Sequence, residues 1–344
     1  MRRVRIAQIG VGHDHASLVF DSLRRQEELF EIKGFCRLDG EEDMWELKRD
    51  SYAGFRELSP EEILSDSALD AVVVETQERQ LTRYARMAVE RGLHVHMDKP
   101  GGLDEQDFEQ LVDSARRAGR ILHLGYMYRY NPAVIQAVEA VERGTLGEIY
   151  SVEAHMDCLH SPGKRQWLER FPGGMMFFLG CHLIDLVVRI QGAPEEIIPL
   201  NACTGLSGVT STDYGMAAFR YKNGVSFVKA CAAEPGGFLR RQLVICGEKG
   251  TWEINPLEQY ITPAEDDRDM IAGIRTTSRK DAERQGWNYR GDYCETEPVN
   301  RYDPMMAAFA AMARGEKKNP YSYEYEVQLH KILLEACGET KRNF

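Results

Sequence analysis

The start of the chain constrains the fold most. Val4-Arg5-Ile6-Ala7-Gln8-Ile9 is a strand pattern, Gly10-Val11-Gly12 breaks it, and Ala16 to Glu28 reads as a helix. A strand that passes through glycines directly into a helix opens a βαβ unit. The alternation then repeats. Phe30 to Cys36 reads as a second strand, and Ser59 stands before Pro60 as a helix cap, with Glu62 at capping-box spacing. Ala71 to Glu75 is a continuous apolar run, the kind buried on both faces of a parallel sheet. Leu81 to Glu90 reads as a helix stopped by Gly92. His94 to Met97 is a strand ended by Pro100-Gly101-Gly102, Asp104 caps a helix to Ala118, and Ile121 to Leu124 is a further strand. This pattern predicts a doubly wound, Rossmann-like parallel sheet over residues 1–124.

The pattern changes after residue 125. Pro132 to Arg143 and Met175 to Ile190 read as helices, the second largely apolar. From residue 195 to about 255 strands dominate, and Asn223-Gly224 between two of them is a hairpin signal. Residues 264–300 are polar and give no clear assignment, and Tyr302 to Arg314 and Ser322 to Cys337 read as terminal helices. The expectation is an α+β domain over 125–344 with a mostly antiparallel open sheet. The 344 residues suit about two domains.

Composition excludes several function classes. The net charge of −11 argues against nucleic acid as partner, because neutralising phosphates takes an excess of Lys and Arg. No stretch approaches the roughly 18 apolar residues of a membrane span. The eight cysteines are scattered without CxxC spacing, as expected of reduced thiols in a cytoplasmic protein. His94 with His96, and His13 with His15, raise the question of a metal, but no Cys or carboxylate completes a recognisable metal spacing, and none is expected.

Four segments carry chemistry. Gly10, Gly12, His13 and Asp14 form a turn suited to a pyrophosphate at a helix N-terminus, although His15 stands where a third glycine is usual. Past the second strand, Asp39 is placed for a ribose hydroxyl and Arg37 for a 2′-phosphate, leaving NAD and NADP both open. Asp98-Lys99-Pro100 ends a strand, where ligands of open α/β sheets bind. An ammonium held there needs a partner, and burial is what fits a lysine to pass protons near neutrality. Further on, His182 and Asp185 share one face of the apolar helix.

Together these segments resemble the Gfo/Idh/MocA family, the glucose–fructose oxidoreductase and inositol dehydrogenase relatives. The resemblance rests on Thr76 through Asp98-Lys99-Pro100, on Gly125-Tyr126-Met127-Tyr128-Arg129-Tyr130-Asn131-Pro132, and on Gly144-Thr145-Leu146-Gly147-Glu148-Ile149. Gly180-Cys181-His182-Leu183-Ile184-Asp185 and Gly247-Glu248-Lys249-Gly250-Thr251 extend it over nearly the whole chain. It implies an NAD(P)-dependent oxidoreductase moving a hydride between nicotinamide and a sugar, cyclitol or related polyol. It also implies a homodimer or homotetramer built on the second-domain sheet.

In that resemblance Lys99 matches the lysine that moves the hydroxyl proton, next to a peptide that is often cis, and His182 matches the histidine that bonds the reacting hydroxyl. Thr76, Gln77, Glu78, Asp98 and Lys99 join the cofactor set. Tyr128, Arg129, Arg165, Trp167 and Asp185 are the expected substrate contacts, with residues 159–167 as a loop over the substrate. Several positions depart from the family pattern. Phe178 stands four residues before His182 where an Asp is usual, Gln77-Glu78 replace Pro-Asn, Leu81 replaces a His, and Arg37 aligns with an acidic residue. Two alternatives follow: a dinucleotide-binding sensor without turnover, and an NAD-using glycosidase or lyase on the same fold.

Overall fold

A computed structural model describes residues 2–259, 261 and 269–338. It divides into two compact units, one formed by Met1–Met127 with Tyr302–His330, the other by Tyr128–Arg301 with the chain from Lys331 on. The first unit runs to Met127, and Tyr302–His330, expected in the second domain, returns to it.

In the first unit β1 (Val4–Ile9), β2 (Phe30–Cys36), β3 (Ala71–Val74), β4 (His94–Met97) and β5 (Leu122–Leu124) form a parallel sheet in the order β2-β1-β3-β4-β5. Every residue of β3 is buried, as its unbroken apolar run requires. The helices are α1 (Ala16–Arg25), α2 (Glu42–Lys48), α3 (Pro60–Ser65), α4 (Leu81–Glu90) and α5 (Glu105–Ala118). The capping box at Ser59 and Glu62 forms at α3, and Asp104 accepts from the Asp107 N–H at α5. The strand order reverses between β1 and β3. Ligands of open sheets bind off the carboxyl ends of the strands at such a switch point, and here the turns after β1, β3 and β4 converge there.

The second unit begins with α6 (Pro132–Glu142), β6 (Ile149–His155), α7 (Pro162–Trp167) and α8 (Cys181–Gln191). It continues with β7 (Glu196–Pro199), β8 (Tyr214–Tyr221), β9 (Gly224–Cys231), β10 (Gln242–Gly247), β11 (Gly250–Ile254), β12 (Gly273–Ser278), α9 (Arg279–Gln285) and β13 (Asp292–Glu295). The strands form one sheet, β13-β12-β11-β10-β6-β9-β8-β7, antiparallel except where β6 meets β9. Burial alternates along β8 and β10, so one face packs inward and the other is half-covered. The hairpin signal is met at Tyr221 and Gly224, which pair around Lys222 and Asn223. Much of the unassigned 264–300 stretch is β12, α9 and β13, while residues 262–268 lie outside the described set. The single helix expected over 175–190 divides into a π-helical turn, Met176–Gly180, followed by α8.

The last described segments are α10 (Asp303–Ala313) and α11 (Tyr323–Ala336). In the first unit Asp303 accepts from the Ser22 hydroxyl and the Arg25 guanidinium, both at 2.7 Å. The Phe309 ring stacks on His123, and the Tyr323 hydroxyl donates to the Arg120 carbonyl at 2.7 Å. No helix among the described residues is long and apolar enough to cross a membrane, and all eight cysteines are free.

Candidate active site

The first turn is held open from below. The Gln8 amide donates to the Gly10 carbonyl at 3.0 Å and to the Tyr52 hydroxyl at 2.9 Å. Gly10 has φ +86, and a methyl on it would stand 2.6 Å from Thr76 Cγ2, so only glycine brings the turns after β1 and β3 together. The carboxylate of Glu41 accepts from the Val11 N–H at 2.8 Å and from the Leu38 N–H at 2.9 Å. A methyl on Gly12 would meet Glu41 Oε1 at 2.6 Å. The turn therefore holds an anionic oxygen on its backbone N–H groups, the property a dinucleotide requires of it. In this respect the residues present fit the cofactor.

The expected ribose residues behave differently from the sequence reading. Asp39 is exposed. Arg37 donates to Glu57 at 2.7 and 3.1 Å and lies over the Trp45 ring at 4.6 Å. Glu41 takes the place at the turn. It was missed because it caps α2 instead of ending β2, and no spacing rule reaches it. The Gln77 side-chain amide donates to the Gly40 carbonyl, and the Thr76 hydroxyl donates to the Gln77 carbonyl at 3.0 Å.

Deeper, the ends of β3 and β4 carry a buried polar cluster. Glu75, Asp98, Lys99 and His13 are each 0–1% exposed. Asp98 Oδ1 accepts the Lys99 backbone N–H at 2.6 Å. Its Oδ2 lies 3.1 Å from His15 Nδ1 and 3.3 Å from His13 Nδ1. His13 Nε2 is 3.8 Å from Glu78 Oε1, and its Nδ1 is 3.8 Å from Glu75 Oε2. His96 Nε2 reaches Glu75 Oε1 at 3.8 Å, and His96 Nδ1 meets His123 Nδ1 at 2.7 Å. The Lys99–Pro100 peptide is cis.

The charges settle accordingly. Burial, reinforced by the Asp98 charge, pushes Glu75 well above the usual carboxylate range. Burial acts the same way on Asp98, but the His15 hydrogen bond and the Lys99 charge offset it and hold Asp98 well below that range. Burial drives His13 down to about 3 and His96 to about 4, so both rings are neutral at pH 7. Of the two facing carboxylates, Asp98, the residue that precedes Lys99, holds a negative charge the more readily. Asp14 lies half-buried at the rim of the turn.

The second unit carries the remaining expected residues. The Arg129 guanidinium donates twice to Asp185, at 3.0 and 2.8 Å, with both side chains buried. The Tyr128 hydroxyl donates to Glu258 at 2.7 Å, and Arg241 and Arg301 bond the same carboxylate. His182 is 1% exposed, and its ring meets Tyr128 edge-on at 5.1 Å. Arg165 differs most from expectation. It is buried in α7, donating to Asp213 at 3.1 Å and to the Leu206 carbonyl at 2.9 Å, so a structural ion pair takes the guanidinium expected to reach substrate. Trp167 is half-buried, with Lys164 Nζ 3.6 Å over its ring and Phe178 5.5 Å away. Phe178, where a carboxylate was usual, is thus an aromatic wall.

A cavity of about 590 Å³ opens at the other, amino-terminal edge of the parallel sheet, lined by Arg2, Asp70, His94 and Arg120 among others. The turns that lead into β3, β4 and β5 meet there, and Asp70 is tied to Arg5.

A glycine turn at the switch point of a parallel sheet, followed by a buried Asp-Lys-Pro corner, defines a dinucleotide-binding oxidoreductase domain. Residues 4–126 match the model of the oxidoreductase family with an NAD-binding Rossmann fold, and residues 134–253 match the GFO/IDH/MocA C-terminal domain. The chain belongs to the Gfo/Idh/MocA oxidoreductase family. An uncharacterized oxidoreductase of Escherichia coli (strain K12), YdgJ, is 24% identical over 288 residues, 80% of each chain. The D-glucoside 3-dehydrogenase of the same strain is 29% identical over 140 residues, 39% of each chain. An aldose-aldose oxidoreductase from Caulobacter crescentus shares the fold, with a TM-score of 0.76 at 16% identity, covering 98% of each chain.

Proposed function

We propose that the protein is an NAD(P)-dependent dehydrogenase of a sugar, cyclitol or related polyhydroxylated small molecule. The observation that carries this reading is Lys99, buried at the carboxyl end of β4 beside an ionised Asp98 and next to the glycine turn. Gly10, Gly12, Thr76 and Gln77 would hold the dinucleotide, which when bound supplies the hydride acceptor or donor. Lys99 takes the hydroxyl proton as a substrate alcohol is oxidised and returns it in reduction. Asp98 positions the lysine backbone and sets the charge around it. His182 keeps the role of bonding the reacting hydroxyl. The names of the D-glucoside 3-dehydrogenase and of the NADP-dependent scyllo-inositol 2-dehydrogenase of Bacillus subtilis support a polyol substrate.

The same reading favours NAD over NADP. Glu41 presents a carboxylate at the glycine turn, where a ribose diol is welcome and a second phosphate is repelled, while Arg37 is engaged by Glu57 and Trp45. Fluorescence titration with NADH and NADPH tests this, followed by turnover of Lys99→Ala and His182→Ala on a sugar and cyclitol panel. Micromolar NADH binding with turnover lost in Lys99→Ala is the expected result. Binding of neither cofactor overturns the reading. A second reading, binding without turnover, draws on Phe178, which can neither orient an imidazole nor accept a proton; it predicts tight NADH binding and no turnover across the panel. For the assembly, the half-covered face of the second-unit sheet supports a homodimer or homotetramer, read by light scattering.

A further inference from the structure

The histidines after β1 and the aspartate after β4 form a set that proton-sharing alone does not satisfy. One ligand atom from each of His13, His15 and Asp98 lies within 4.8 Å of the others. The two contacts to Asp98 Oδ2, 3.3 Å from His13 Nδ1 and 3.1 Å from His15 Nδ1, are close to the roughly 3.3 Å edge of a tetrahedron with metal–ligand bonds near 2.0–2.1 Å. Asp98 uses Oδ1 for the Lys99 N–H, which leaves Oδ2 to face both rings.

Hydrogen bonding leaves this set incomplete. His13 Nδ1 faces both the Asp98 carboxylate and the His15 backbone N–H, which points at it from 3.2 Å. A ring nitrogen can donate to the first or accept from the second, not both. His13 Nε2 has no hydrogen-bond partner among the described residues, and Glu75, whose carboxyl faces Asp98, lies with Oε2 3.8 Å from His13 Nδ1. Buried polar atoms of this kind call for a missing partner. An unprotonated His13 Nδ1 sets its lone pair against Asp98 Oδ2, and a cation between the rings and that oxygen turns this repulsive contact into ligand bonds.

We propose that His13, His15 and Asp98 bind one divalent transition-metal ion of the zinc or cobalt class. Two imidazoles and one carboxylate are the donor set such ions take when a fourth position stays open. Glu75, backed by His96 and His123, lies beside the set as its outer support. Lys99 is adjacent in sequence, so the open position falls in the region assigned above to substrate and cofactor. The site itself does not depend on that assignment.

The test is a Co²⁺ titration of the full-length protein after dialysis against EDTA, read by the visible d–d bands, with Zn²⁺ as competitor. One Co²⁺ per chain, displaced by Zn²⁺, is expected. His15→Ala and Asp98→Asn should each weaken binding by more than the roughly 10–100-fold that losing an outer partner of a ligand costs. His15 is partly exposed, so His15→Gln, checked by circular dichroism, provides a folded variant. No Co²⁺ bands in the wild type, or equal affinity in the His15 variants, overturns the site. NADH titration of the same samples separates the two readings. NADH binding without metal binding overturns this inference alone, and metal binding without NADH binding overturns the dinucleotide reading alone.

Discussion

The two units bury charge in opposite ways. In the second, Arg129 with Asp185, Arg165 with Asp213, and Arg241 and the partly exposed Arg301 with Glu258 set buried anions against cations at hydrogen-bond distance. In the first, Glu75 and Asp98 face each other, His13 and His96 are neutral, and several polar atoms are left without a partner. Completed pairs hold a fold in one arrangement. An incomplete cluster stores unmet bonding capacity at the place where a ligand arrives, and perturbed groups gather where chemistry is done. The contrast is between facing, strongly shifted carboxylates in the first unit and paired charges in the second.

The largest effect expected from that contrast is on turnover. Lys99→Ala should lose about 10²–10⁴-fold in kcat while NADH affinity stays within a few-fold. Unchanged turnover would remove Lys99 from the chemistry.

Stability should show the reverse pattern. Asp185→Ala leaves the Arg129 guanidinium buried and unpaired, and urea unfolding should report a loss of about 3–5 kcal/mol. Glu75→Gln removes a carboxyl already pushed toward its neutral form and should stay within about 1 kcal/mol. Equal losses would break the comparison.

Acid should strike the first unit early. Burial holds the His330 pKa at about 4 in the folded state, below the 6.5 of a free histidine. Unfolding therefore takes up a proton between these values, and His330's contribution, complete above pH 6.5, is lost as pH falls toward 4. In the second unit, Glu258 sits below its free value of 4.5, so its contribution is lost only in more acidic solution. Hydrogen exchange as a function of pH reads both units, and His330→Leu should flatten the profile around α5, where Phe108 meets His330. An unchanged profile would refute the assignment.

Smaller effects refine the cofactor side. Glu41→Gln should shift the NADH-to-NADPH affinity ratio by about tenfold toward NADPH, since one removed charge is worth on the order of 1.4 kcal/mol here. Arg37→Ala breaks only a surface pair and should change stability by less than about 1 kcal/mol.

Much of the first unit was legible because its information is local. A continuous apolar β3, a capping box at Ser59 and glycine at the first turn each declare themselves within a few residues. The site was legible only in part. Lys99, Asp98 and the glycines stand in short motifs, but the carboxylate that completes the His13–His15 set comes from Asp98, across the sheet. Arg165 read as a loop cation because nothing nearby in sequence announces Asp213.

The return of Tyr302–His330 to the first unit has a consequence for the order of synthesis. A ribosome releases residues 1–127 long before the segment that carries Asp303, Phe309 and Tyr323. At roughly 5–20 residues per second, the intervening chain imposes a wait of on the order of ten to thirty seconds. For that interval the surfaces around His123 and Ser22 are newborn and uncovered, and the half-built unit depends on whatever meets a nascent chain at the exit tunnel.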